Sequence, residues 1–121
     1  MKILIVEDEP NNMKLMSFII KKFGHEPVEA FTGVQGIEKA FSLEVDVILM
    51  DIKLPDMDGF KVTEKIREMN MKVPIIALTS YSMDENLEPM NKAGFNGCIE
   101  KPINPMTLLD DINRIISKER S

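Results

Sequence analysis

One cysteine, Cys98, and one histidine, His25, are all that the 121 residues hold of either type. A single thiol excludes an internal disulfide and fits a reducing compartment, so a cytoplasmic chain is expected. The same scarcity excludes a zinc site built on cysteine and histidine, and any Ser-His or Cys-His dyad would have to use His25. Long apolar runs are missing too. The opening MKILIV meets Glu7-Asp8 after only Ile3 to Val6, too short a run for the apolar region of a signal peptide. Nothing approaches the ~18 residues of a membrane span, so no membrane partner is expected. Positive charge is in deficit, with a formal net charge of -5. That argues against nucleic acid, whose phosphates want a basic patch. What is present is ordinary for a soluble globular chain, 44% hydrophobic and 29% charged. The length is that of one domain, which buries roughly two-thirds of its unfolded surface and needs no covalent staples.

Five short apolar runs recur with helical patterns between them. Ile3 to Val6 is the first strand, and Pro10 then stands where a first helical turn accepts proline. Met13, Met16, Ile20 and Phe23 follow at helical spacing until Gly24 closes the helix. Pro27 to Phe31 is a weaker second strand. Gly33 to Ser42 is a second helix with Ile37, Ala40 and Phe41 on its apolar face. Val45 to Met50 gives the third strand, and Val62, Ile66 and Met69 mark a third helix from about Gly59 to Asn70. Val73 to Leu78 is the fourth strand, ended by Thr79-Ser80. A fourth helix lies between Asp84 and Ala93, with Pro89 either in its first turn or kinking it. Gly97 to Glu100 is the fifth strand. Pro105 opens a last helix carrying Met106, Leu109, Ile112 and Ile116. Strict alternation of strand and helix specifies a doubly wound α/β fold with a five-stranded parallel sheet and helices on both faces. The continuous apolar runs agree, because parallel strands are buried on both sides.

In open parallel sheets, functional groups collect outside the carboxyl ends of the strands. Here those ends carry Glu7-Asp8, Asp51, Thr79-Ser80 and Glu100-Lys101-Pro102. Three crowded carboxylates repel unless a cation sits among them. Oxygen-only ligands suit Mg²⁺, or Mn²⁺, better than zinc. Lys101 adds a second positive charge and Thr79 a donor, a set that suits a tetrahedral anion bonded to a carboxylate. Carboxylates do act as nucleophiles toward phosphoryl groups, and Asp51 leads directly into the loop within reach of the others.

Each residue also has a plainer reading. Glu7-Asp8 would cap the helix that Pro10 begins, Lys101 would be a solvated lysine before a turn, and Thr79 would simply finish a strand. Together they favour the site over those readings. Asp56 and Asp58 are better turn and helix-cap residues around Gly59 than ligands. The ten methionines are expected mainly in the core, and His25 in the turn after the first helix.

The set Glu7-Asp8, Asp51, Thr79 and Lys101-Pro102, with DIKLPDMDG, ALTS and EKPI at successive strand ends, closely resembles the receiver domain of two-component response regulators. The likeness spans essentially residues 1–121 and implies the flavodoxin-like (βα)5 sandwich with strand order 2-1-3-4-5, without an output domain. It implies that Asp51 is the phosphoacceptor for a sensor histidine kinase or histidine phosphotransfer protein. It implies Mg²⁺ held by Asp8, Asp51 and the backbone carbonyl of Lys53, with Glu7 acting through water. Thr79 and Lys101 would bind the phosphoryl oxygens, and the Lys53 ammonium would tune dephosphorylation. Such a chain is a phosphorylatable switch, catalysing only its own phosphorylation and dephosphorylation. Its output is a downstream protein bound through the face of the fourth helix, fifth strand and fifth helix. Receivers usually carry an aromatic ring three residues before the lysine. This chain has Cys98 there, and Tyr81, two after Thr79, is the substitute expected. An aspartyl-phosphate hydrolase would want an acid where Lys53 stands, and a flavodoxin-like cofactor binder would want a Ser/Thr/Gly-rich loop in place of EDEPNN.

Overall fold

The computed structural model of the chain describes residues 1–80 and 88–120. The elements follow in strict alternation: β1 (Lys2–Val6), α1 (Pro10–Lys22), β2 (Glu26–Ala30), α2 (Gly33–Ser42), β3 (Val47–Asp51), α3 (Gly59–Glu68), β4 (Ile75–Thr79), α4 (Glu88–Ala93), β5 (Gly97–Glu100) and α5 (Leu108–Arg120). The strands form one parallel sheet in the order β2-β1-β3-β4-β5, the order that the receiver resemblance implies.

The apolar runs of β1, β3 and β4 place them in the sheet interior, and the period of two divides their side chains between faces. Ile3, Ile5, Val47, Leu49, Ile76 and Leu78 pack with α1 and α5. Leu4, Val6, Ile48, Met50, Ile75 and Ala77 pack with α2, α3 and α4. Each large aliphatic side chain buried this way contributes about 1.5–3 kcal/mol. The edge strand β2 is sealed against further pairing. Pro27 has no N–H to offer, the Phe31 N–H donates to Gln35 Oε1 at 2.8 Å, and the Lys39 ammonium donates to the Glu29 carbonyl.

Opposite the carboxyl ends, Arg67 of α3 ties three segments together. Its Nε and Nη2 donate to the Gly94 carbonyl at 3.0 and 2.8 Å, and Nη1 reaches the carbonyls of Met71 and Val73, both at 2.8 Å. Nη2 also donates to Asn96 Oδ1 at 2.8 Å, which in turn accepts from the Ile75 N–H at 2.8 Å. A planar fork suits several carbonyls at once, which a lysine would not.

Several expectations shift. Asp51 lies within β3 and not beyond it, since its pairing with Leu78 extends the ladder. Pro89 lies in the described part of α4, and residues 81–87, where the expected helix would begin, lie outside the described residues. Pro105 does not open α5. Asn104 builds a turn first, its Oδ1 accepting from the Met106 N–H at 2.9 Å, and the helix begins at Leu108. Met106 is therefore in that turn and 84% exposed, not on the helix face. Phe23 caps α1 in solvent, and Phe41 is exposed as well.

Among the described residues, one buried side-chain group lacks a hydrogen-bond partner. The Thr63 hydroxyl on α3 is fully buried and makes no hydrogen bond among the described residues. An unpaired buried hydroxyl costs desolvation with no return, so the near-isosteric Thr63→Val is expected to stabilise the fold by about 1 kcal/mol. Urea denaturation midpoints at unchanged m-value measure this.

Candidate functional site

The parallel register brings the acids together before any side-chain preference acts. Val6 pairs with Met50, so Glu7 emerges level with Asp51 at the carboxyl edge. On the other side, the Lys101 N–H donates to the Thr79 carbonyl at 2.7 Å, which fixes Lys101 beside the end of β4. Glu7, Asp8, Asp51, Lys53, Thr79 and Lys101 all line one cleft of about 300 Å³. The Lys101–Pro102 peptide bond beside it is cis.

The charges are paired closely. Lys101 Nζ lies 2.9 Å from Asp51 Oδ2 and 3.1 Å from Glu7 Oε1. The other Asp51 oxygen, Oδ1, accepts the Lys53 N–H at 3.1 Å, and Glu7 Oε2 accepts the Glu9 N–H at 3.1 Å. Glu7, Asp51 and Thr79 are buried, whereas Asp8 and the Lys53 side chain are exposed. Burial, followed by a hydrogen bond with Asp51 and the charge of Asp51, pushes the Glu7 carboxyl up from 4.5 to about 7. Burial works to lower the Lys101 ammonium, but its bonds to Asp51 and Glu7 outweigh this and hold it above the ordinary lysine range.

Glu7, Asp8 and Asp51 each offer a carboxylate oxygen, and these oxygens lie within 4.8 Å of one another. Neither sulfur nor imidazole belongs to that cluster, a donor set that fits a hard divalent cation such as Mg²⁺. Asp8 is free for this role because the capping expected of it falls to Glu9. Glu9, which the capping expectation did not name, precedes Pro10 and accepts the Asn12 N–H at 2.8 Å.

Asp58 caps α3 through the Lys61 N–H at 2.8 Å, as its position before Gly59 foretold. Asp56 does something else: it accepts from the Gly33 and Val34 N–H groups at 2.7 and 2.9 Å. Those two bonds, Gly33 first, hold its carboxyl below the usual carboxylate range. Cys98 is buried in β5, where burial and then Glu100 push its thiol up. A thiol held neutral is a poor nucleophile. Tyr81, its expected substitute, lies outside the described residues, as does Asp84.

A doubly wound sheet with an oxygen-lined acidic cleft at its carboxyl edge defines the class of domain. Comparison with known proteins makes it specific. The sequence profile of the response regulator receiver domain matches residues 3–113. The polar-differentiation response regulator DivK of Brucella ovis is 33% identical over 112 residues, covering 91% of this chain and 91% of DivK. The sensor histidine kinase RcsC of Escherichia coli is 29% identical over 103 residues, which cover 85% of this chain. The match spans only 11% of RcsC's length. Among solved structures, the receiver domain of the sensor histidine kinase PA1611 from Pseudomonas aeruginosa superposes with a TM-score of 0.84 at 34% identity. It covers 96% of this chain and 97% of its own, and a magnesium ion is coordinated in its active site cleft. The chain belongs to the response regulator receiver family, whose members take a phosphoryl group on aspartate from histidine kinases and bind Mg²⁺ at an acidic site.

Proposed function

We propose that this chain is a phosphorylatable switch in which Asp51 accepts a phosphoryl group from a sensor histidine kinase or a histidine phosphotransfer protein. The observation that carries this reading is the placement of Asp51, buried on the cleft floor with the Lys101 ammonium 2.9 Å from Oδ2. A carboxylate oxygen of Asp51 forms the new O–P bond as the donor's N–P bond breaks, and the leaving imidazole takes up a proton. Lys101 neutralises phosphoryl oxygens and Thr79 donates a hydrogen bond to them, which suits a reaction governed by positioning and charge. Asp8, Asp51 and the Lys53 carbonyl would hold Mg²⁺, with Glu7 acting through bound water. Bound there, the metal supplies neutralising charge to the phosphoryl oxygens. The product adds about -1.5 to -2 charge at Asp51, and a protein partner at the α4-β5-α5 face reads the resulting change in the cytoplasm. The chain turns over no other substrate.

Incubation with a small-molecule phosphodonor tests this directly. Intact mass is expected to show one added phosphoryl group, dependent on Mg²⁺ and absent from Asp51→Asn. An adduct that persists in that variant, or that ignores Mg²⁺, would remove Asp51 or the metal from the reaction.

A further inference from the structure

Asp56 is tied to a helix that is neither its own nor the one its loop leads into. It lies in the segment between β3 and α3, yet its carboxylate accepts from the first N–H groups of α2. That helix already has an N-cap, since Thr32 Oγ1 accepts the Gln35 N–H at 3.1 Å. Asp56 is thus a second cap brought in from another element, and the junction is tightly packed. A Cβ on Gly33 would stand 2.7 Å from Met57 Cγ, 2.8 Å from Val62 Cγ2 and 3.2 Å from Asp56 Oδ1. A methyl group there would force Met57 and Val62 to shift.

The near end of the same loop belongs to the cleft. The Lys53 N–H donates to Asp51 Oδ1, and the Gly59 N–H closes the loop onto the Ile52 carbonyl at 2.7 Å. Lys53 itself is exposed and lines the cleft. The span from Ile52 to Asp58 is also held by the Ile52 N–H on the Leu78 carbonyl at 3.3 Å, by Leu54 and Met57 packed against the core and by Asp58 capping α3. Asp56 adds the hydrogen bonds that tie it to α2.

We propose that Asp56 is a positioning residue for the Asp51 site. By anchoring the loop to α2, it holds the Lys53 backbone where its N–H bonds Asp51 Oδ1. The inference rests on reading the cleft as a metal and phosphoryl site, but its first readout does not require a metal. The competing possibility is that Asp56 only stabilises α2.

Three variants of the full chain separate the two: Asp56→Ala, Asp56→Asn and Thr32→Ala. Amide hydrogen exchange of the metal-free protein is read first by NMR, then Mg²⁺ affinity by calorimetry. In Asp56→Ala the Lys53 amide is expected to exchange about tenfold faster while Ile48 to Met50 keep wild-type protection. Mg²⁺ affinity should fall about tenfold, as loss of one well-placed ligand's orientation would produce. Asp56→Asn keeps one of the two acceptor oxygens and turns an NH2 toward the other N–H, so it should fall between wild type and Asp56→Ala in both. Thr32→Ala weakens α2 but should leave Lys53 exchange and Mg²⁺ affinity unchanged. An unchanged Lys53 amide in Asp56→Ala, or an equal effect from Thr32→Ala, overturns the proposal. A freed Lys53 amide in a protein that binds no Mg²⁺ even as wild type supports the positioning and sinks the metal reading instead.

Discussion

Lys101→Ala is expected to lose about 3 kcal/mol of stability at pH 8 in metal-free buffer, the low end for breaking a buried ion pair because the ammonium keeps some solvent. Lys101 Nζ is the cation in contact with both Glu7 and Asp51, and those side chains are 1% and 7% exposed. The loss should depend on pH. Glu7 has a folded-state value of about 7 against 4.5 for the free group. The folded protein therefore holds a proton there that the unfolded chain has released, and this contribution to stability is lost as pH rises from about 4.5 through about 7. At pH 5 the proton relieves the crowding and the lysine matters less. At pH 8 the lysine is the remaining compensation. Glu7→Gln removes this ionisation while keeping the shape, so it should gain on wild type over the same interval. Millimolar Mg²⁺ should restore much of the Lys101→Ala loss, since a divalent ion neutralises the same oxygens. Urea denaturation at pH 5 and pH 8 measures all three effects. An equal loss at both pH values would mean that the ammonium does not act on the Glu7 carboxylate.

Gly59→Ala should cost as much by a different route. A Cβ at this position would lie 2.4 Å from the Asp51 carbonyl oxygen and 2.9 Å from Ile52 Cα. Both are backbone atoms of the segment that carries Asp51, so no rotamer relieves the overlap. Overpacking of this kind costs about 3 kcal/mol, and the displaced strand end should also slow phosphoryl uptake from a small donor. Gly24→Ala is the control. Gly24 has φ +85 but open space around it, so it should cost only about 1 kcal/mol of backbone strain and leave phosphoryl uptake intact. Should Gly59→Ala be as mild as Gly24→Ala, the close approach of α3 to β3 does not constrain the site.

The strands and the cleft were legible because each strand announces itself as an apolar run ending in a polar group. Glu7-Asp8, Asp51, Thr79 and Lys101 stand where those runs stop, and parallel register does the rest. The helices were less legible where large side chains misled. Phe41 was placed on the apolar face of α2, but that helix packs through Gly33, Gly36 and Ala40. A Cβ on Gly36 would sit 2.9 Å from Val6 Cγ2, so α2 lies too close to β1 for bulk there. Phe41 is left 73% exposed on the outer side. Asp56 and Arg67 were illegible for another reason. Beyond the nearby Met71 and Val73 carbonyls, the contacts that set their roles lie more than twenty residues away in sequence, at Gly33 and at Gly94, and no local pattern encodes such a contact.

The bonds from Arg67 to Gly94 have a mechanical consequence. They fasten the carboxyl end of α4 to the base of α3 and to the strand entry at Ile75, through Asn96. The acidic cleft lies at the other end of the sheet. A tug delivered at Thr79 therefore meets a helix with one foot bolted down, and α4 is expected to swing about Gly94 like a lever about its fulcrum rather than slide across the sheet.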